Sequence, residues 1–260
     1  MVFLQKLRGL ALLVVALGLV WQGHADEAFV ETLEATCRVT HDGHSGTGFF
    51  VRNAKAVYLV TAAHLLEKSN KPECRMILRG RETNGVLSRQ EIVILIRKDG
   101  QPLWKKHASE DIAALQVEIP SQIEMKPIRL DRILKASAGG ISEVKLGQTV
   151  WLPGYPAQLE ANSTGWPVLR QGTIASHPLS PVAKIPTMLI DIRSWGGDSG
   201  APLFTMIKGT PHIAGMIVGM HRQTEHTTSA FEERTIHTPL GLAIAVQGNV
   251  VAQTVALFER

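Results

Sequence analysis

Short runs rich in Val, Ile, Leu and Thr recur along this chain between Gly, Asn and Asp turns, which restricts it to an all-β sandwich or barrel. The first set of candidate strands is Ala35–Thr40, Thr47–Val51, Ala56–Thr61, Met76–Arg79, Glu91–Arg97 and Ile112–Val117. Six such strands make one barrel. A stretch over 131–143 with little apolar periodicity, containing Gly139-Gly140, then reads as a linker. Strands restart at Thr149–Leu152, Val168–Ile174, Thr187–Ile192, Ala201–Met206, Ile213–Met220 and Leu240–Val246. The expected division is therefore a barrel over 26–130, the linker, a second barrel over 144–247 and a helix over 248–260, with Asn249 as its cap. Ala62–Leu66 is expected to form a helical turn.

Three segments carry chemistry: Val60-Thr61-Ala62-Ala63-His64, Asp111-Ile112-Ala113-Ala114-Leu115 and Gly197-Asp198-Ser199-Gly200-Ala201-Pro202-Leu203. A serine hydroxyl is a poor nucleophile near neutral pH and needs a base within hydrogen-bond reach, itself oriented by a third group. These segments supply base, carboxylate and nucleophile in the order His64, Asp111, Ser199. The order and surroundings closely resemble the chymotrypsin-like serine peptidases. Gly46-Thr47-Gly48-Phe49-Phe50-Val51, Gly147-Gln148-Thr149-Val150 and Gly154-Tyr155-Pro156 resemble the bacterial trypsin-like members rather than the digestive ones. The α/β-hydrolase alternative lacks support, because no Gly-x-Ser-x-Gly elbow is present and Ser would precede Asp and His.

The resemblance implies two six-stranded antiparallel Greek-key barrels with a C-terminal helix, an all-β double barrel whose active site lies in the cleft between them. His64 and Asp111 would come from the first barrel and Ser199 from the second. The backbone amides of Gly197 and Ser199 would form the oxyanion hole, and neither cofactor nor metal would be needed. The substrate would be a protein or peptide, cleaved through an acyl-enzyme. Nothing after the terminal helix suggests a PDZ or other accessory domain, so regulation by one is not expected. In digestive members the Asp matching Asp198 pairs with a new N-terminus, but the Ile-Val-Gly-Gly start that supplies it is missing. Asp198 is thus expected to bond to nearby backbone or a basic side chain.

Lys6 and Arg8 precede an apolar run from Gly9 to Trp21, and Gly23-His24-Ala25 offers small residues for cleavage, the pattern of a secretory signal over 1–25. The run falls short of the ~20 residues needed to span a bilayer, which weighs against an uncleaved anchor. A secreted or periplasmic location follows, with no membrane attachment after signal removal. Without that segment the chain carries 25 basic and 23 acidic residues, a balance that argues against a nucleic-acid partner. Cys37 and Cys74 would then meet an oxidising compartment. The resembling fold makes their strands neighbours and so implies a structural disulfide; two buried thiols are the alternative.

For specificity the resemblance points to Arg193, six residues before the nucleophile, and to Ser194. An Arg in place of Asp disfavours cleavage after Lys or Arg. Val218-Gly219-Met220-His221 is similar to the Gly-x-His strand of glutamyl endopeptidases, and Ser194, His221 and Arg193 together would favour an acidic residue at the cleaved position. If Gly215 rather than Gly219 sets the strand register, Ile217 takes the place of His221. His41 with His44 and His221 with His226 invite a metal reading, but isolated pairs without a third ligand at suitable spacing read as exposed loop histidines, and Arg222–Thr238 reads as a loop bordering the cleft. A non-catalytic binding protein retaining the fold is the rival reading.

Overall fold

The computed structural model describes residues 27–83, 85–228 and 232–259; the expected signal segment over 1–25 lies outside them. Every predicted strand is present. After a helix over 27–34 (α1), the first half comprises β1 (Thr36–His41), β2 (His44–Arg52), β3 (Val57–Thr61), α2 (Ala63–Glu67), β4 (Glu73–Arg81), β5 (Leu87–Leu95) and β6 (Ala113–Val117). The second comprises β7 (Thr149–Gly154), β8 (Val168–Ile174), β9 (Thr187–Asp191), β10 (Pro202–Ile207), β11 (Thr210–Thr228), β12 (Glu233–Gln247) and α3 (Gly248–Ala256). A short 3-10 turn, Leu130–Arg132, straddles the start of the predicted linker and a second, Ala138–Gly140, lies within it.

The second sheet is a closed antiparallel barrel in the order β7-β8-β9-β12-β11-β10. The first runs β4-β1-β2-β3-β6 with β5 on β4 and short strands at its margins, and hydrogen bonds do not close it between β5 and β6. Side chains fill that seam instead: Ile92, Ile94 and Trp104 pack against a core that includes Leu115 and Val117.

The alternation of strand side chains explains why β2, β3 and β6 read as almost continuous apolar runs. Phe50, Leu59, Ala113 and Leu115 face the interior of the first sheet. Phe49, Val51, Tyr58, Val60 and Ala114 face the second barrel, where they meet Phe204, Ile213, Met216 and Val246 and the helix residues Val250, Val251 and Val255. One apolar layer thus fixes both halves and seats α3 across them.

Two local expectations are corrected. Asn249 does not cap α3; its side chain accepts the Ala136 N–H at 3.3 Å, and Gln247 occupies the cap position without a side-chain capping bond. Cys37 and Cys74 are free and buried rather than bridged. Their strands do pair, but the register Arg38↔Ile77 sets Cys37 opposite Leu78, four residues from Cys74 and so about 13 Å away along the strand. A disulfide requires Cα atoms within about 7 Å. Burial raises both thiols, Cys74 up to about 12. Iodoacetamide at pH 8 is accordingly expected to label neither cysteine until the protein unfolds, and dithiothreitol to leave the Tm unchanged.

Candidate active site

The pairing of β3 with β6, Thr61 opposite Ala113, brings the residues just beyond both strand ends together. Past Thr61 the chain enters α2, anchored by buried Leu65 and Leu66, which leaves His64 half-buried on its first turn. Asp111 holds it at two points. Its Oδ1 accepts the His64 backbone N–H at 2.9 Å, and its Oδ2 lies 2.5 Å from Nδ1. A ring nitrogen facing a carboxylate carries the proton, so Nε2 keeps its lone pair as a base. Burial pushes the Asp111 pKa up, but the hydrogen bonds and charge of His64 outweigh it and hold the carboxyl below its usual value. A depressed carboxylate stabilises the fold above the ordinary range near pH 4 and loses that contribution as pH falls through the folded value. The Tm deficit of Asp111→Asn should therefore be full at neutral pH and close in acid, which a melting series between pH 7 and about pH 2 would measure.

The loop carrying Ser199 is docked against the same strand ends. Thr47 N–H donates to the Ser199 carbonyl at 2.8 Å, and the Thr47 hydroxyl donates to the Gly197 carbonyl at 2.8 Å. Gly200 has φ +87°, and a Cβ there would stand 2.0 Å from the Thr47 carbonyl oxygen and 2.5 Å from the Thr61 hydroxyl, so only glycine allows this approach. Gly197, at φ +102°, packs equally closely on Tyr155, whose carbonyl a Cβ would meet at 2.2 Å. Ala157 N–H holds the Gly196 carbonyl at 2.6 Å, turning the Gly197 N–H the opposite way. Among the described residues neither the Gly197 nor the Ser199 N–H donates a backbone hydrogen bond, so both remain available to an oxyanion. Nor does the Ser199 hydroxyl make a side-chain hydrogen bond among them. Contacts between a catalytic imidazole and a serine hydroxyl commonly tighten only when substrate binds.

Asp198, fully buried, has the basic partner expected of it. Arg170 on β8 grips both carboxylate oxygens, Trp195 N–H donates to Oδ2 at 2.8 Å and the Ser194 hydroxyl at 3.2 Å. An Arg inside a strand reads as solvent-facing, so nothing in the sequence singled out Arg170. Thr47, a hydroxyl residue between two glycines, was equally silent.

The predicted specificity residues are not brought together. Ser194 is buried and its hydroxyl is engaged by Asp198, while Arg193 is exposed. Gly200 N–H donates to the Ile217 carbonyl at 2.8 Å and Ile217 N–H to Ala201 at 2.9 Å, which selects the Gly215 register. Ile217 therefore stands beside the Ser199 loop, and His221 lies four residues on, exposed at a bulge between Met220 and Arg222. His41 is also corrected: it is buried, its ring nitrogens 3.0 Å from the Leu65 carbonyl and 3.2 Å from that of Lys71. Among the described residues no three His, Cys, Asp or Glu side chains are grouped to hold a metal.

A family model described as trypsin-like peptidase domain matches residues 46–211. No curated protein matches the chain. Among solved structures it is similar to Deg5 (18% identity, 91% of this chain and 94% of that one, TM-score 0.53). It is similar also to the HtrA-type protease AlgW with tripeptide (13%, 90% and 64%, 0.54). A third is the Rv3671c protease of M. tuberculosis H37Rv in its inactive form (17%, 90% and 93%, 0.50). At these identities the likeness is one of fold.

Proposed function

We propose, from the premise that this chain belongs to the trypsin-like peptidase domain family and is a serine endopeptidase, that His64, Asp111 and Ser199 carry its reaction. The observation that supports this most is the double hold of Asp111 on His64, beside strand ends to which the Ser199 loop is bonded through Thr47. In this reading Ser199 Oγ attacks the scissile carbonyl carbon as its proton passes to His64 Nε2. The Gly197 and Ser199 N–H groups receive the oxyanion, and Asp111 stabilises the imidazolium. Collapse breaks the C–N bond, His64 protonates the leaving amine, and water hydrolyses the acyl-serine by the same route.

The Arg170–Asp198 pair supports a loop ordered without a cleavage-generated N-terminus. The site offers no support for an acidic preference, because Ser194 is engaged elsewhere and Ile217 holds the position expected of His221. Action after export, secreted or periplasmic, rests on the sequence of residues 1–25.

A fluorophosphonate probe tests the assignment. Rapid labelling mapped to Ser199 by mass spectrometry, absent in Ser199→Ala and strongly slowed in His64→Ala, is the expected result. Labelling that ignores Ser199, with no serine-dependent cleavage of a mixed peptide library, would move the reading to a binding protein built on this fold.

A further inference from the structure

Within the stretch over 222–238, read from sequence as a loop, residues 222–228 and 233–238 form a two-stranded ribbon. β11 and β12 continue past the barrel as seven antiparallel pairs, from Arg222↔Pro239 to Thr228↔Glu233. Seven residues extend about 23 Å. Almost all of these side chains are exposed, and an isolated two-stranded ribbon is marginal in water. Cross-strand contacts stiffen this one: the Thr224 hydroxyl meets His237 Nδ1 at 2.9 Å and His226 Nδ1 meets the Thr235 hydroxyl at 3.1 Å.

The free edge of β11 begins at the nucleophile. One edge pairs with β12, interrupted only by bulges at Val218 and His221. The other is covered by β10 from Thr210 to Met216, and then by Gly200 and Ala201 at Ile217. There the chain in that lane turns away at Ser199. From Val218 to Thr228 no backbone hydrogen bond reaches this edge among the described residues.

The direction of the lane is fixed as well. β10 runs antiparallel to β11, so a strand entering the vacant part of the same lane antiparallel would point its C-terminal end at Ser199 and lay its N-terminal residues outward along the ribbon. We infer that the β11 edge of the ribbon, Arg222–Thr228, is a docking template for an extended polypeptide substrate, pairing with residues well to the N-terminal side of the bond that is cut. Recognition is through main-chain hydrogen bonds, the β-augmentation mode. The template's own side chains, Arg222, Gln223, Thr224, Glu225, His226, Thr227 and Thr228, are polar and nearly balanced in charge, so it selects for unfolded, strand-forming chain rather than for one side chain. This inference rests on the peptidase reading for what happens at Ser199, and on β11 alone for the docking.

The test compares peptides that share one cleaved sequence but carry about four or about ten residues before the cut, the difference matching the ribbon's reach. With intact protein the longer peptide should gain about tenfold or more in kcat/KM. A variant with 223–238 replaced by a short turn should cleave the short peptide as before and lose the gain. N-methylation of alternate backbone nitrogens in the distal part, tried on intact protein, should abolish the gain in one phase and spare it in the other. A gain that survives ribbon removal, or that ignores N-methylation, overturns the template. Fluorescence anisotropy of the same peptides on Ser199→Ala separates the two claims. If nothing is cleaved yet the long peptide still binds tighter in a ribbon-dependent way, the peptidase reading fails and the template stands; equal binding of both peptides sinks the template whatever happens at Ser199.

Discussion

Replacing His64 by alanine is expected, on the proposed assignment, to lower kcat for peptide hydrolysis by about a millionfold and to change KM little. In the proposed mechanism substrate is held by backbone and cleft, whereas the imidazole acts only as the proton moves. Ser199→Ala should lose the same amount, and the double variant no more, because a nucleophile without its base and a base without its nucleophile are equally idle. Asp111→Asn is expected to cost about 10⁴-fold. An asparagine can still accept the His64 backbone N–H now received by Oδ1, but its NH₂ would face Nδ1 in place of Oδ2. The ring proton would then move to Nε2, leaving no lone pair toward Ser199. Initial-rate kinetics on the three single variants and the double variant measure this; independent, additive losses would show that the three residues do not act as a unit.

Arg170→Met is the second large effect, expected on stability and activity together. The Asp198 carboxylate is fully buried, and the Arg170 side chain that grips it is largely so. Removing the cation leaves a buried charge with only the Trp195 N–H and the Ser194 hydroxyl, a loss of about 3–5 kcal/mol. The same carboxylate ties down the loop from Ser194 to Ser199, so kcat should fall while peptide binding along β11 persists. Urea unfolding and steady-state kinetics of Arg170→Met check both halves. Arg129→Met is the control: its pair with Asp131 lies in solvent, where screening leaves little to lose, so its unfolding curve should overlay that of the parent.

The readable part of the site was whatever depends on local sequence. His64, Asp111 and Ser199 stand in short apolar or glycine-rich contexts that specify strand ends and a tight turn, and the structure brings the three segments to one place. Gly197 and Gly200 were legible as turn residues, but the reason neither tolerates a Cβ lies in Tyr155, Thr47 and Thr61, residues 42 to 153 positions away. The specificity pocket failed on register. Gly215 and Gly219 begin equally good strands, and a shift of four residues preserves the inward and outward alternation, so hydrophobic patterning cannot distinguish them. Only the hydrogen bonds of Ile217 with Gly200 and Ala201 decide it. The ribbon was missed for a related reason: exposed on both faces, its strands carry no alternation to read.

The sequence by itself determined twelve strands, their division into two halves and the turn that presents Ser199, because period-two burial and glycine conformation are local properties of the chain. Tertiary structure alone decided that the first sheet closes with side chains rather than hydrogen bonds, that Cys37 and Cys74 stand too far apart to bridge, that Arg170 balances Asp198 and that, among the described residues, a free strand edge starts at Ser199. Each of these depends on which residues come opposite one another across tens of positions of chain. Strand pairing and desolvation set that, and no window of the sequence contains it.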